Sequence, residues 1–254
     1  MKNELFSLKG KVAVITGGHQ GIGKAAACGI ADAGADVCII DLQDSADVAA
    51  AIAGEFGVRA KSYICNVTDP DAVEACIRRA ASDMGTLDLL FNNAGITHVA
   101  HAEEMSAEDW DRVVKVNYYG IFYVATAFAR YLIENKKGGS IVNTASMSSH
   151  IVNIPQCQAG YNSSKAGVRH LTKTLAVEWW RYGIRVNSIS PGYIRTELTS
   201  IARKDWVDFW MNQMPGMRFG VPEELVGGVI YLLSDAASYT SGSDLVMDGC
   251  FTCV

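Results

Sequence analysis

The sequence has few prolines, a small net charge and no cluster of like charges. It contains 254 residues, five prolines and a formal net charge of -5, and no run of lysines and arginines is longer than two residues. A chain without a basic patch gives nucleic acid or an anionic membrane no surface to bind. Hydrophobic residues make up 49% of it, which excludes a disordered polymer. We expect a globular protein whose partner is a small molecule.

Long apolar runs are also missing. The apolar segment 121–133 contains Arg130 and is too short to cross a bilayer. Residues 1–5 lack the uninterrupted apolar core of a signal peptide. These two absences predict a cytoplasmic protein with no membrane partner.

The cysteines do not form the even, spaced set of a disulfide framework. There are seven, an odd number, and most lie in apolar segments where a reduced thiol behaves as a small hydrophobe. Cys250 and Cys253 have the spacing of half a zinc site or of a redox pair, but neither a second pair nor a suitably spaced histidine accompanies them. We therefore favour ordinary packing and predict no metal ligands.

Short apolar runs rich in β-branched residues alternate with longer helical patterns. Strands that are apolar along their length and separated by crossover helices are typical of a parallel sheet covered on both faces. No proline-rich or serine-rich linker interrupts the alternation, so residues 1–254 are predicted to form one doubly wound α/β domain. The predicted strands are 12–16, 36–41, 61–65, 87–92, 140–144, 185–190 and 244–247.

A glycine-rich turn follows the first predicted strand. It contains Gly17, Gly21 and Gly23, together with Gln20 and Ile22, and leads into an alanine-rich helix. Glycines let the backbone approach a pyrophosphate closely, and the free amides at a helix N-terminus bind it. An ordinary strand-to-helix turn is the alternative, so a second feature is needed.

Asp41 is that second feature. It closes the next predicted strand, eighteen residues after Gly23, at the place where a dinucleotide-binding fold holds the adenosine ribose. A carboxylate there accepts hydrogen bonds from both ribose hydroxyls but repels a 2′-phosphate. Neither His19 nor Leu42 offers the permanent positive charge that a 2′-phosphate requires. The sequence therefore predicts NAD rather than NADP as cofactor.

Tyr161 and Lys165 lie one helical turn apart at the start of a helical pattern. A tyrosine ionises near neutral pH only with help, which a neighbouring ammonium supplies. Ser146 lies just past the fifth predicted strand, where α/β sheets place their ligands. Asn117 lies in the long helical pattern before that strand, where its amide can stabilise a kink or a water that relays protons. Each of these residues alone proves little.

Taken together, these motifs resemble the short-chain dehydrogenase/reductase family. The resemblance implies a single-domain Rossmann fold, commonly assembled as a homotetramer. It also implies a catalytic tetrad in which Tyr161 is the acid/base, Ser146 holds the reacting oxygen, and Asn117 and Lys165 relay protons. The motifs that carry it span nearly the whole chain: Thr16 to Gly23, Asn92-Asn93-Ala94-Gly95, Asn117, Ser146, Tyr161, Lys165 and Pro191-Gly192.

The same resemblance extends to the cofactor cleft. Tyr161 and Lys165 would also contact the cofactor, Lys165 through the nicotinamide ribose, while Thr16 and Asp88 look like stabilising residues. The other positions implied to bind the cofactor are Asn93, Ala94 and Gly95 in the cleft, the Pro191-Gly192 turn, and Ile194 and Thr196 at the nicotinamide carboxamide.

Two departures from the family pattern stand out. Asn66, followed by Val67, occupies a place beside adenine where the family more often has aspartate, and its amide oxygen can still accept a hydrogen bond. The fifteen-residue step from Ser146 to Tyr161 is slightly long, which predicts a fuller loop beside the substrate.

That loop resembles the one in polyol dehydrogenases and ketose reductases of the family. His150, Asn153, Gln156 and Gln158 provide hydrogen-bonding groups for a hydroxyl-rich substrate, although a polar surface loop is an equal alternative. We therefore expect a polyol or ketose substrate. Segment 201–217, rich in aromatic residues and methionine, is either a mobile lid or a packed helix.

Two other functions stay open. An acyl-thioester carbonyl reductase uses the same tetrad, but such enzymes usually prefer NADP, which Asp41 disfavours. A non-catalytic NAD sensor would be natural only if Tyr161 or Lys165 were absent.

Overall fold

One parallel sheet organises the computed structural model, which describes residues 4–200 and 203–254. Its strands pair in the order β3-β2-β1-β4-β5-β6-β7, so the order reverses between β1 and β4. Ligands of open α/β sheets bind at such a reversal, beyond the carboxyl ends of the strands. The strands are β1 (Val12–Thr16), β2 (Asp36–Asp41), β3 (Ala60–Ile64), β4 (Leu89–Asn92), β5 (Gly139–Thr144), β6 (Ile184–Pro191) and β7 (Asp244–Met247).

Helices connect these strands on both faces. The first helices along the chain connect β1 to β2 and β2 to β3, because neighbouring parallel strands can be joined only by a crossover connection. In chain order the α-helices are α1 (Gly21–Asp32), α2 (Ala46–Phe56), α3 (Pro70–Met84), α4 (Ala107–Val114), α5 (Ile121–Glu134), α6 (Ala159–Trp179), α7 (Glu197–Ser200), α8 (Lys204–Gln213) and α9 (Glu223–Leu233).

Alternate residues of each strand enter two different cores. Val12 and Val14 pack with α3, α5 and α6, whereas Ala13 and Ile15 pack with α1, α2 and α9. All four side chains are buried. A strand whose successive side chains point to opposite faces can be apolar throughout only if both faces are covered, which explains the continuous apolar runs.

The predicted seven-stranded, doubly wound sheet is confirmed. The predicted bounds of β1, β2 and β7 are also those observed, whereas the other four strands differ by one or two residues. Strand β4 begins at Leu89 rather than at residue 87. The carboxylate of Asp88 accepts the Val12 amide hydrogen (2.9 Å), and the Asp88 backbone bonds to Val12 and Ser140 just before the strand begins.

Side chains fix the start of two helices. Asp69 accepts the Asp71 and Ala72 amides at the start of α3, and Ser106 accepts the Asp109 amide at the start of α4. Such caps satisfy donors that have no partner within the helix. Within the described part of the chain, no helix is both long and apolar enough to cross a membrane.

Candidate active site

A pocket of about 420 Å³ opens beyond the carboxyl ends of β5 and β6. Its wall includes Ser146 and Tyr161, and Ile22 and Thr196 border it on the side of the glycine turn. The fold thus brings together residues that lie up to 188 positions apart in the sequence, from Ile22 to Trp210.

The glycine turn between β1 and α1 is packed too tightly for side chains. A Cβ atom on Gly23 would lie 1.9 Å from the Gly17 carbonyl oxygen, and one on Gly17 would lie 2.9 Å from the Ala94 Cα. Gly17 also has a φ of 66°, in the left-handed region. The N-cap residue of α1, Gln20, makes no side-chain cap hydrogen bond, so the first amides of the helix stay free for an anion. This cradle fits the pyrophosphate of a dinucleotide.

Asp41 lies at the end of β2, beside that turn. One carboxylate oxygen accepts the His19 amide (3.1 Å) and the other accepts the Gln43 amide (3.0 Å). These bonds fix the carboxylate, and each oxygen keeps lone pairs for hydroxyl donors. His19 bonds through its ring to Ser45 (3.2 Å), and Leu42 is exposed.

The floor of the cleft joins β1 to β4. The buried Thr16 hydroxyl accepts the amides of Asn93 (2.8 Å) and Ala94 (3.1 Å), while the Asn93 side chain donates to the Gly17 carbonyl (3.3 Å). Asp88 receives the Lys137 ammonium (2.8 Å) away from the cleft. Thr16 and Asp88 therefore have contacts that suit stabilising residues.

The Asn66 amide oxygen is already engaged. It accepts hydrogen bonds from the Thr68 amide (3.0 Å) and the Thr68 hydroxyl (2.9 Å). Both of its lone pairs are therefore used, and the group left for an adenine is the amide nitrogen. Val67 is buried and packs against Gly120, where an added Cβ would lie 2.9 Å from a Val67 methyl group.

Tyr161 and Lys165 share one face of the first turns of α6; Lys165 is buried, whereas Tyr161 is half-buried in the pocket wall. Burial raises the pKa of Tyr161, and a hydrogen bond with Ser146 acts in the opposite direction. Burial lowers the pKa of Lys165 to about 8. The Lys165 ammonium donates to the Thr144 carbonyl (2.7 Å) and lies 5.7 Å from the Tyr161 ring centre. A phenol in the pocket wall thus lies close to a readily titrated, buried amine.

Asn117 lies in a π-helical segment, Lys115–Gly120, between α4 and α5. Its side chain is fully buried and pairs with the Ile96 backbone in both directions, accepting the amide (2.8 Å) and donating to the carbonyl (2.9 Å). It also donates to Ser164 (3.2 Å). The Asn117 amide group ties this π-helical segment to the loop after β4. A Cβ on Gly95, in that loop, would lie 3.4 Å from the Lys165 nitrogen.

The turn after β6 completes the cleft. An added Cβ on Gly192 would lie 2.6 Å from the Asp248 Cα, so only glycine fits. Pro191 and Ile194 are buried, and Ile194 and Thr196 both border the pocket. Pro191, Gly192, Ile194 and Thr196 thus all line the pocket.

The long loop between Ser146 and Tyr161 lies against the pocket, but its four polar side chains do not act alike. Asn153, Gln156 and Gln158 are buried in the wall of the pocket. His150 is not: its ring bonds to Asp244 (2.7 Å) and Arg169 (2.8 Å) at the surface. The expectation that His150 faces the substrate is wrong, because two charged neighbours hold its ring.

Segment 201–217, for which a mobile lid and a packed helix were both open, contains a helix that packs in the wall of the site. Ile201 and Ala202 lie outside the described residues, but α8 places Trp206 and Trp210 in the pocket wall. The Trp210 indole stacks on the Tyr193 ring at 4.4 Å and donates to Gln156 (2.9 Å). Sequence reasoning missed Tyr193, although its position directly after Pro191-Gly192 was a signal.

A second groove and a pair of cysteines lie outside this pocket. A groove of about 660 Å³ runs between α1 and α9, away from Tyr161. The cysteines are unpaired, and Cys250 and Cys253 are exposed near the C-terminus. In residues 4–200 and 203–254, no three His, Cys, Asp or Glu side chains lie close enough together to hold a metal.

Known proteins match this arrangement along the whole chain. A family model described as enoyl-(acyl carrier protein) reductase matches residues 17–252. A sorbose reductase from Candida albicans is 45% identical over 98% of this chain and 90% of its own. A probable NADP-dependent mannitol dehydrogenase from Yarrowia lipolytica is 44% identical over 98% and 90%. An NADH-dependent L-xylulose reductase from Ambrosiozyma monospora is 40% identical over 97% of both chains.

A crystal structure of a short-chain type dehydrogenase/reductase from Mycobacterium marinum superimposes with a TM-score of 0.93. It is 44% identical and covers 99% of both chains. The fold and these matches define an oxidoreductase with an NAD(P)-binding fold. The chain belongs to the short-chain dehydrogenase/reductase family, which confirms the predicted membership.

Proposed function

We propose that this enzyme interconverts a polyol and its ketose, with NAD as cofactor and Tyr161 as acid/base. The observation that carries the proposal is Tyr161, bonded to Ser146 in the wall of a pocket with amide side chains, and close to the buried Lys165. When bound, the cofactor supplies or takes up the hydride.

Tyr161 moves the proton. In alcohol oxidation its phenolate accepts the substrate hydroxyl proton, and in ketone reduction its hydroxyl donates to the carbonyl oxygen. Ser146 holds that oxygen and opposes the rise that burial causes in the pKa of Tyr161. The protonated Lys165 stabilises the phenolate. Because the pKa of Lys165 is about 8, it can also release a proton, and Asn117 keeps the loop above it in place.

The residues of the cofactor cleft support NAD. Gly17, Gly21 and Gly23 would hold the pyrophosphate, with Gln20 and Ile22 in the same turn. The fixed Asp41 carboxylate would accept the ribose hydroxyls and repel a 2′-phosphate by about 4 kcal/mol at 4 Å and an effective dielectric of about 20. The remaining contacts are proposed for Asn66, Val67, Asn93, Ala94, Gly95, Pro191, Gly192, Ile194 and Thr196.

The wall of the pocket supports a hydroxyl-rich substrate. Asn153, Gln156 and Gln158 are buried amides that give this wall a polar character, which suits a hydroxyl-rich substrate better than an apolar ketone. The relatives named for sorbose, mannitol and xylulose point to the same chemical class. An acyl-thioester reductase is the second candidate, because the matching family model is described as an acyl carrier protein reductase. A non-catalytic NAD sensor is a remote third.

A substrate panel tests the proposal. Hexitols, pentitols, the matching ketoses and an acetoacetyl thioester are each offered with NAD(H) and with NADP(H), and cofactor absorbance is followed. We expect the fastest turnover with polyols and ketoses and with NAD(H). Tyr161→Phe should abolish turnover and leave NADH binding, measured by fluorescence, nearly unchanged. Turnover of the thioester alone would replace the proposal with the second candidate.

The assembly is proposed to be a homotetramer. Exposed aromatic side chains on two separate faces support this: Tyr119 and Phe122 near the start of α5, and Trp180 and Tyr239 beside the edge strand β7. Light scattering after size-exclusion chromatography measures the mass. The cytoplasmic location and the extent of the domain over residues 1–254 stay predictions.

A further inference from the structure

Tyr193 stands in the pocket wall with an unusual set of hydrogen bonds. Its ring is 8% exposed and borders the same pocket as Tyr161. Its hydroxyl oxygen is met by two amide donors, Gln156 Nε2 at 2.9 Å and Asn153 Nδ2 at 3.3 Å. Both lone pairs of the phenol are therefore used.

The orientation of the two amides is fixed by their other partners. The Trp210 indole nitrogen can only donate, and it donates to Gln156 Oε1 (2.9 Å), so Gln156 must present its NH₂ group to Tyr193. Asn153 Oδ1 accepts from the Ser148 hydroxyl and from Gln158 Nε2 (3.3 Å), so Asn153 does the same. The protein thus uses Tyr193 only as an acceptor.

The hydrogen of the Tyr193 hydroxyl has no acceptor among the described residues. Burial raises the pKa of this phenol, and the nearby Tyr161 acts in the same direction, so the hydrogen stays in place at neutral pH. A buried donor without a partner costs free energy, and the open volume beside it is the pocket.

We propose that Tyr193 determines substrate specificity by donating this hydrogen to a hydroxyl oxygen of the polyol or ketose, at a carbon other than the reacting one. The inference rests on the proposed function. Neither Asn153 nor Gln156 makes this contact, because the protein already uses their polar groups. Both amides donate to the Tyr193 oxygen and so occupy its lone pairs. Toward the substrate, the Tyr193 hydroxyl can therefore act only as a donor.

Kinetics with a set of analogues tests the proposal. The set contains a ketose that the wild-type enzyme reduces, its monodeoxy analogues and a small ketone without hydroxyl groups. Tyr193→Phe should lower kcat/KM for the ketose about tenfold, the usual effect of one neutral hydrogen bond, mainly through KM. Tyr193→Phe should leave kcat/KM unchanged for the deoxy analogue that lacks the contacted hydroxyl, and for the small ketone. An equal loss with every substrate, or no loss with the ketose, would refute the inference.

Trp210→Phe tests the residue that orients Gln156. It keeps an aromatic ring against Tyr193 but removes the donor to Gln156 Oε1, so the Gln156 amide can turn its oxygen toward the Tyr193 hydroxyl and accept the hydrogen. We expect this variant to show part of the selective loss on the ketose that Tyr193→Phe shows. An equal change in kcat/KM for every substrate would contradict the orienting role of Gln156.

A second measurement does not depend on the variant folding. A deoxyfluoro analogue can accept a hydrogen bond but cannot donate one. At the position that Tyr193 binds, the wild-type enzyme should therefore prefer the deoxyfluoro analogue to the deoxy analogue, and equal efficiencies would contradict a donor. If the wild-type enzyme reduces no ketose, the proposed function itself fails. If it does and the selective losses are absent, only the role of Tyr193 fails.

Discussion

Replacing Asp41 with asparagine should narrow the preference of the enzyme for NAD over NADP. The carboxylate lies at the end of β2, held by the His19 and Gln43 amides, and is partly exposed. The full repulsion of about 4 kcal/mol applies at 4 Å and an effective dielectric of about 20. Salt screens a partly exposed charge, so we take about half, or 2 kcal/mol, which corresponds to a change of about 30-fold in the ratio of kcat/KM values.

Asp41→Asn is the best substitution for this test, because the hydrogen bond that it loses affects both cofactors equally and therefore cancels from the ratio of their kcat/KM values. The new NH₂ group would face one of the two backbone amides and lose a hydrogen bond, which weakens both cofactors alike. The assay measures kcat/KM for each cofactor at saturating substrate, at low and at high salt. The ratio in the wild-type enzyme should fall as salt rises, whereas the ratio in the variant should change little.

Asp44→Asn is the matched control. Asp44 is exposed, lies three residues further along and changes the net charge by the same amount, but its carboxylate caps the Ala46 amide (2.9 Å) instead of facing the cleft. It should leave the cofactor ratio unchanged. An unaltered ratio in Asp41→Asn, or an equal shift in Asp44→Asn, would refute the role assigned to the charge at position 41.

Three further outcomes follow from the structure. Gly23→Ala should abolish dinucleotide binding in a fluorescence titration, because the new methyl group would overlap the Gly17 carbonyl, whereas Gly54→Ala, in open space on α2, should raise the melting temperature slightly. Because the pKa of Lys165 is about 8 in the folded protein and about 10.4 when unfolded, the unfolded chain binds more protons between these values, and the free energy of unfolding should rise with pH across that window. Denaturant titrations should show that Lys165→Met removes up to about 3 kcal/mol of this rise. The pH profile of kcat/KM for alcohol oxidation should rise toward alkaline pH, since the phenolate of Tyr161 is the base, and a flat profile would argue against it.

The sheet could be predicted from the sequence because a strand that is buried on both faces is apolar along its length, and this pattern is visible in the local sequence. Val12 to Ile15 is apolar at every position, and a glycine turn follows Thr16, so neither register nor partner strand is needed to recognise β1. The bounds of β4 were harder to predict. The strand begins two residues later than predicted, and the bond of the Asp88 side chain to Val12, 76 positions away, leaves no pattern in the local sequence.

The site divides in the same way. Tyr161 and Lys165 are one helical turn apart, and their shared face follows from helix geometry alone. The loop after Ser146 has no such periodicity, so His150 and Gln156 looked equivalent. What separates them is tertiary: Asp244 and Arg169 draw His150 outward, while the indole on α8 holds Gln156 inside.

The hydrogen bonds from Thr16 to the loop after β4 also matter for how the protein is made. The glycine turn is synthesised early, yet its neighbours Asn93 and Ala94 emerge from the ribosome about 70 residues later, and strand pairing between them is a non-local step. A nascent chain that ends at β3 therefore carries the phosphate loop without its floor. Binding of the dinucleotide therefore indicates that β4 has paired with β1. A dinucleotide in the surrounding solution would favour this paired state by mass action.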